Sequence, residues 1–217
     1  MVEAAEEELR EQIVEVMEAM DARGLNRGTS GNVSTRCGNN MLVTPTGVAP
    51  GDLRPEHIVL VDPTGGYDKT GMRPSSEWSM HQRLLELRED VNGIVHCHSR
   101  HATILACAGR EIPPMHYMVA VSGGSSIPVA PYATFSSADL ANGVIAALDG
   151  RFAALMANHG QVAIAGSLKQ ALLIAEEVEE QAAVYCGTLA IGGPNILPEA
   201  EMNRILELFK SYGQARE

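Results

Sequence analysis

The stretch GIVHCH, residues 93–98, limits what this chain can fold into more than any other segment of its 217 residues. It reads as a buried strand, and on a strand residues two apart point to the same face. His96 and His98 therefore present two imidazoles side by side, while Cys97 points into the opposite layer. Burying two imidazoles together leaves several ring nitrogens in need of partners. A zinc ion that takes one nitrogen from each removes that cost.

The rest of the pattern places this strand among others. Residues 3–23 set Leu9, Ile13, Met17 and Met20 at spacings of three and four, and Gly24 stands where such a helix stops. The segment LNRGTSGNVSTR is rich in small and turn-forming residues. MLVTPTG and HIVLVDPTGG then read as short strands closed by Gly and Pro turns. SSEWSMHQRLLELRED has a helical pattern from about Ser76 to Glu89. IPVAPY, FAALMANHG and QVAIAG are further strands, with a helical stretch from Ser137 to Leu148 between the first two. Two helices, 167–190 and 198–211, close the chain around Pro194 and Pro198. Irregular alternation of this kind predicts an α/β fold: a single domain over residues 1–217, with a central mixed or mainly antiparallel sheet and helices on both faces.

Composition narrows the partners. With 45% hydrophobic residues the chain can bury one sizeable core, and a formal charge of −11 disfavours both nucleic acid and an anionic membrane surface. Cys37, Cys97, Cys107 and Cys186 lie far apart with no CxxC pair, which suits a reducing compartment. Glu3, Glu6, Glu7 and Glu8 stand where a signal peptide carries basic residues, and no stretch is long enough to span a bilayer. A cytoplasmic protein is the expectation.

A catalytic zinc site uses about three protein ligands and keeps a position open. His159 is the best third ligand: it follows the apolar run FAALM, so a second strand delivers it to the sheet edge, and Gly160 permits close backbone approach. His101, His81, His57 and His116 compete with it. Glu77 and His81 share a helical face and form a rival pair. Glu77 falls in the first turn of its helix behind Ser75 and Ser76, and a helix N-terminus with two hydroxyls suits an anion. The turns GTSGN (28–32) and TPTG (44–47) offer backbone N–H groups and hydroxyls to the same anion. Neither is a Walker loop or a dinucleotide turn, so a single phosphate is the modest reading.

Taken in order, GTSGNVS, MLVTPTG, PSSEW, HCH, IPPMHYM, SGGSSIPVAPYATF, NHG and FKSYG resemble the class II aldolases of the L-fuculose-1-phosphate aldolase type across nearly the whole chain. The resemblance implies an α/β zinc enzyme, assembled as a homotetramer, that cleaves a ketose 1-phosphate into dihydroxyacetone phosphate and an aldehyde. It places the metal ligands on His96, His98 and His159, and the catalytic glutamate, also a ligand before substrate binds, on Glu77. Phosphate-cradling positions fall on Gly31, Asn32, Thr46, Gly47, Ser75 and Ser76. Thr29 matches a residue that helps settle the transition state, and Tyr117 one that reaches an active site across a subunit boundary. Phe135, Phe209 and Tyr212 match the aldehyde side. Histidine ligands also suit Mn2+ or Co2+. Two relatives within the superfamily stay open as alternatives. HSRHAT also resembles the pentulose-phosphate 4-epimerases, which usually carry Asp where this chain has Glu77, and methylthioribulose-phosphate dehydratases are the third branch.

Overall fold

The structure, a computed structural model, describes residues 2–210. Seven strands form one sheet in the order β3-β2-β1-β4-β7-β6-β5: β1 Asn32–Cys37, β2 Asn40–Val43, β3 Val59–Val61, β4 Gly93–Cys97, β5 Val129–Ala130, β6 Ala153–Met156 and β7 Gly160–Ala165. Every pairing is antiparallel except that of β5 with β6. The sheet is thus mixed and mainly antiparallel, as the pattern of elements predicts. Six α-helices accompany it: α1 Val2–Ala22, α2 Trp78–Leu87, α3 Arg100–Cys107, α4 Ala138–Ala147, α5 Leu168–Ala190 and α6 Glu199–Phe209.

Alternation along the strands sorts side chains into two layers. On one face Met41, Val43, Ile94, Val162 and Ile164 pack with Met80, Leu84 and Leu85 of α2 and with Leu140 and Val144 of α4. On the other, Val33, Leu42, Val95, Cys97 and Ala163 pack with Ile13, Met17 and Met20 of α1 and with Leu168, Ala171 and Leu172 of α5. Cys97 is therefore in the layer opposite His96. A third cluster joins α3, α6 and the far half of α5 to Ala153 and Leu155 of β6. The helices end where local chemistry ends them. Gly24 takes a left-handed φ of 71° after α1, and the hydroxyls of Ser137 and Ser167 accept from the N–H groups of Leu140 and Gln170 to cap α4 and α5.

Three departures from the sequence pattern have physical reasons. The turn-rich segment after α1 ends at Gly31, and Asn32–Cys37 is a central strand between β2 and β4. Its polar residues are buried but partnered: Asn32 bonds Glu77, Ser34 bonds His81, and the Thr35 hydroxyl donates to the Asn92 carbonyl at 2.7 Å. Polar residues in such a strand hide its periodicity. The second helix starts at Trp78, with Glu77 at its N-cap in a non-helical conformation (φ −104°, ψ 11°). IPVAPY contributes only Val129 and Ala130 to the sheet, because Pro128 and Pro131 cannot donate to a ladder.

Gly93 opens β4 directly beneath the start of α5, where a Cβ would lie 2.5 Å from the Leu168 nitrogen and 2.6 Å from the Ser167 carbonyl carbon. Since both neighbours are backbone, Gly93→Ala must push α5 off the sheet. Chemical denaturation is expected to show a loss of about 1–3 kcal/mol, the usual cost of overpacking.

Candidate metal centre

The residues that converge come from three elements. The β4 strand ends at Cys97, so His96 lies on it and His98 just beyond, both facing the α2 layer. The turn between β6 and β7 brings His159 back against them. Glu77 reaches in from the N-cap of α2. The three rings form a near-equilateral set, with centroids 4.9 Å (His96 to His98), 4.8 Å (His96 to His159) and 4.9 Å (His98 to His159) apart and interplanar angles of 70°, 81° and 73°. One nitrogen from each ring lies within 4.8 Å of the others. Glu77 Oε2 is 3.1 Å from His96 Nε2, and Glu77 Oε1 is 3.4 Å from His159 Nε2.

Neighbouring groups orient this set. His96 Nδ1–H donates to the Gln161 carbonyl at 2.8 Å, which turns Nε2 toward the other rings. The Asn32 amide donates to Glu77 Oε2 at 3.0 Å. Asn32 pairs with His96 across β1 and β4, so adjacent strands hold the carboxylate's anchor and the first ring in register. Below this rung Ser34 and His81 share a hydrogen bond of 2.7 Å, a second tie between β1 and α2.

Charge follows burial. Burial opposes ionisation of Glu77, but His96, the Asn32 amide and His159 outweigh it and hold the carboxyl well below the usual range. Burial also opposes a charge on His96, and there the Glu77 carboxylate wins and raises the ring. Burial, then the charge of His96 and His159, pushes His98 down to about 4, and burial with His96 lowers His159. Three rings and a carboxylate this close need positive charge among them, and a divalent ion meets that need with the ring nitrogens unprotonated. Glu77 Oε1 is buried with no hydrogen bond. An unpaired buried polar atom costs about 1–3 kcal/mol, whereas structural zinc sites contribute about 10–16 kcal/mol, so this donor set fits a metal ion.

The rival histidines are not part of this set. His81 is fully buried against Ser34, and burial pushes its pKa down to about 3. His101 bonds Glu179 at 2.8 Å, whose carboxylate also accepts the His101 and Ala102 N–H groups at the start of α3. His116 accepts from the Met118 N–H, and His57 ends a short 3-10 turn before β3.

A cleft of about 360 Å³ opens onto Glu77, His98 and His159. Thr29, Gly31, Asn32, Thr46, Gly47, Ser75 and Ser76 line it together with Glu77, His98, His159 and Phe135. Gly31 and Gly47 take φ of 78° and 74°, a conformation that frees their turns to bring backbone close to a ligand. The turn at 44–46 is tied to 73–75 by Thr46 N–H to the Arg73 carbonyl and Ser75 N–H to the Thr44 carbonyl. Tyr117, about half exposed on the 3-10 turn Tyr117–Ser122, is not among the lining residues. Phe209, on α6, packs against the third core cluster and is not among them either. Tyr212 lies outside the described residues. The sequence reading missed Tyr132 and Asn158, which also line the cleft. Asn158 has a left-handed φ of 54°, and Asn just before a ligand histidine is the signal that could have marked it.

A mainly antiparallel α/β sheet thus brings three histidines and a glutamate, a set that could hold a metal ion, beside a cleft lined by small-residue turns. The chain belongs to the Class II Aldolase and Adducin N-terminal domain family, which matches residues 11–186. It is 46% identical over 205 residues to the 5-methylthioribulose-1-phosphate/5-deoxyribulose-1-phosphate aldolase of Rhodospirillum rubrum, covering 94% of this chain and 92% of the relative. It is 44% identical over 206 residues to the L-fuculose phosphate aldolase of Escherichia coli K12, covering 94% and 95%. A solved L-fuculose 1-phosphate aldolase structure has a TM-score of 0.90 at 37% identity, covering 94% of this chain and 96% of that one.

Gly160 gives a direct test of the ring arrangement. A Cβ there would overlap the Cys97 carbonyl and come within 2.9 Å of the His98 ring. Gly160→Ala is expected to weaken zinc binding by about 10–100-fold in equilibrium dialysis, the range for disturbed ligand support.

Proposed function

We propose that this chain is a zinc-dependent aldolase that reversibly cleaves a ketose 1-phosphate into dihydroxyacetone phosphate and an aldehyde. The observation that carries the reading is the convergence of His96, His98, His159 and a buried ionised Glu77 in the same cleft as the turns at 28–32, 44–47 and 75–76. Relatives at 46% and 44% identity carry aldolase names, which favours this reading over the epimerase and dehydratase branches.

Each residue has a task set by its position. The backbone at Gly31 and Gly47 and the side chains of Asn32, Thr46, Ser75 and Ser76 grip the phosphate. Binding energy from that non-reacting group then aligns the bond to be broken. His96, His98 and His159 would hold the metal ion, which supplies positive charge to the oxygens of the dihydroxyacetone half as the C3–C4 bond parts. Mn2+ or Co2+ suit the same ligands. Glu77 Oε2 is fixed by Asn32, whereas Oε1 has no hydrogen bond and is the oxygen suited to exchange a proton with C3. In cleavage the C4 hydroxyl gives up its proton, the electron pair of the broken bond stays on C3, and the released proton, passed on to the Glu77 carboxylate, is delivered to C3. In synthesis Glu77 removes that proton. Thr29 lies at the cleft wall to steady the reacting groups, and Phe135 offers an apolar surface to the aldehyde. Tyr117 is assigned the C4 oxygen's proton in a second copy's site. Its half-exposed position away from its own cleft suits a site shared between subunits, with a homotetramer as the proposed assembly and Phe209 assigned to the aldehyde side; Tyr212, the other residue of that assignment, lies outside the described residues.

None of the four cysteines forms a disulfide, which supports a cytoplasmic setting. No described helix is long and apolar enough to cross a membrane.

The decisive experiment incubates metal-loaded protein with 5-methylthioribulose, 5-deoxyribulose and L-fuculose 1-phosphates and follows dihydroxyacetone phosphate release. Chelation should abolish release, and zinc should restore it; epimerised or dehydrated products in place of triose would reject the aldolase assignment. Glu77→Gln should keep bound zinc yet lose about 10²–10⁴-fold in exchange of the C3 proton of dihydroxyacetone phosphate, read by NMR in deuterated water. Wild-type exchange in that variant would remove Glu77 from its role.

A further inference from the structure

Asn26 follows α1 and the Gly24 turn, lines no part of the cleft, and is 3% exposed. Its side chain nonetheless touches both halves of the site. On one side Oδ1 accepts the backbone N–H of His98, the residue just past the end of β4, at 3.2 Å. On the other side its amide lies flat against Gly31, so closely that a Cβ on Gly31 would overlap it. Gly31, with its left-handed φ, belongs to the turn assigned to the phosphate, and the next residue, Asn32, holds Glu77. Asn26 Nδ2 is buried without a hydrogen-bond partner. An amide kept in such a place at a cost of about 1–3 kcal/mol needs a compensating use, and the His98 contact supplies one.

These contacts close a ring through the site: the His98 backbone to Asn26, Asn26 to Gly31, Asn32 to Glu77, and Glu77 to His96 on β4. We propose that Asn26 is a positioning residue that sets the separation between the phosphate turn and the metal ligands at the end of β4. A ligand that must engage both ends depends on that separation, and a ligand that engages one end does not. This rests on the phosphate assignment made above. It adds a residue that touches neither substrate nor metal.

The test compares two probes on zinc-loaded wild type, Asn26→Ala and Asn26→Ser by calorimetry, with zinc content measured on each. Dihydroxyacetone phosphate spans the two ends, and inorganic phosphate occupies only the turn. In both variants we expect dihydroxyacetone phosphate to bind about 10–100-fold more weakly, the penalty for misplacement on the ångström scale. Inorganic phosphate affinity and zinc content should stay within about twofold of wild type, since each uses one end of the spacing alone. Equal weakening of both probes, loss of zinc, or unchanged binding of both would overturn the proposal, because a collapsed turn or an inert spacer gives those results. If Asn26→Ala fails to fold, the milder Asn26→Ser decides by the same comparison. Wild type that binds neither probe would instead refute the phosphate assignment beneath it, a failure visible before any variant is made.

Discussion

A carboxylate buried against an imidazole, Glu77 on His96 at 3.1 Å, is the contact around which the rest is arranged. An ion pair so deep in a protein is costly unless its remaining valences are met. Here β1 meets one valence through Asn32, β7 orients the ring through the Gln161 carbonyl, and two further imidazoles surround the remaining edge. Remove any of these strands and the charge loses its compensation. That is why the central strand β1 carries polar side chains where a core strand ordinarily carries aliphatic ones.

The same requirement explains which parts of the molecule could be read from the sequence. GIVHCH kept its meaning because Ile94 and Val95 belong to opposite apolar layers while His96 and Cys97 continue the alternation. The helices α1, α4 and α5 were legible because caps and apolar spacing agree with their burial. Strand β1 was not: Asn32, Ser34 and Thr35 are satisfied by Glu77, His81 and Asn92, residues 45, 47 and 57 positions away. No local rule reveals partners at such distances. His81 and His101 competed with the better-placed His159 in the sequence, and their packing against Ser34 and Glu179 shows what they do instead. Asn26 gave no signal at all, because an asparagine in a small-residue loop reads as a turn former.

The comparisons and the geometry bear on different questions. Likeness to aldolases of two substrate classes fixes the family and the fold, and both classes share a phosphate and a ketose end. What the chain's own residues add is the division of labour inside the cleft. Polar turns and the histidines line the cleft together with two aromatic rings, Phe135 and Tyr132, both about two-thirds exposed. Apolar surface this exposed leaves room for side chains of varied size.

The packing behind the three rings has one more consequence. His96 is wholly buried, Gly160 leaves no space at the back of His98, and the sheet closes the rear of the site. His98 and His159 both line the cleft. A ligand seated in this cleft would therefore lie over any ion held by the rings and bar its way out past His98 and His159.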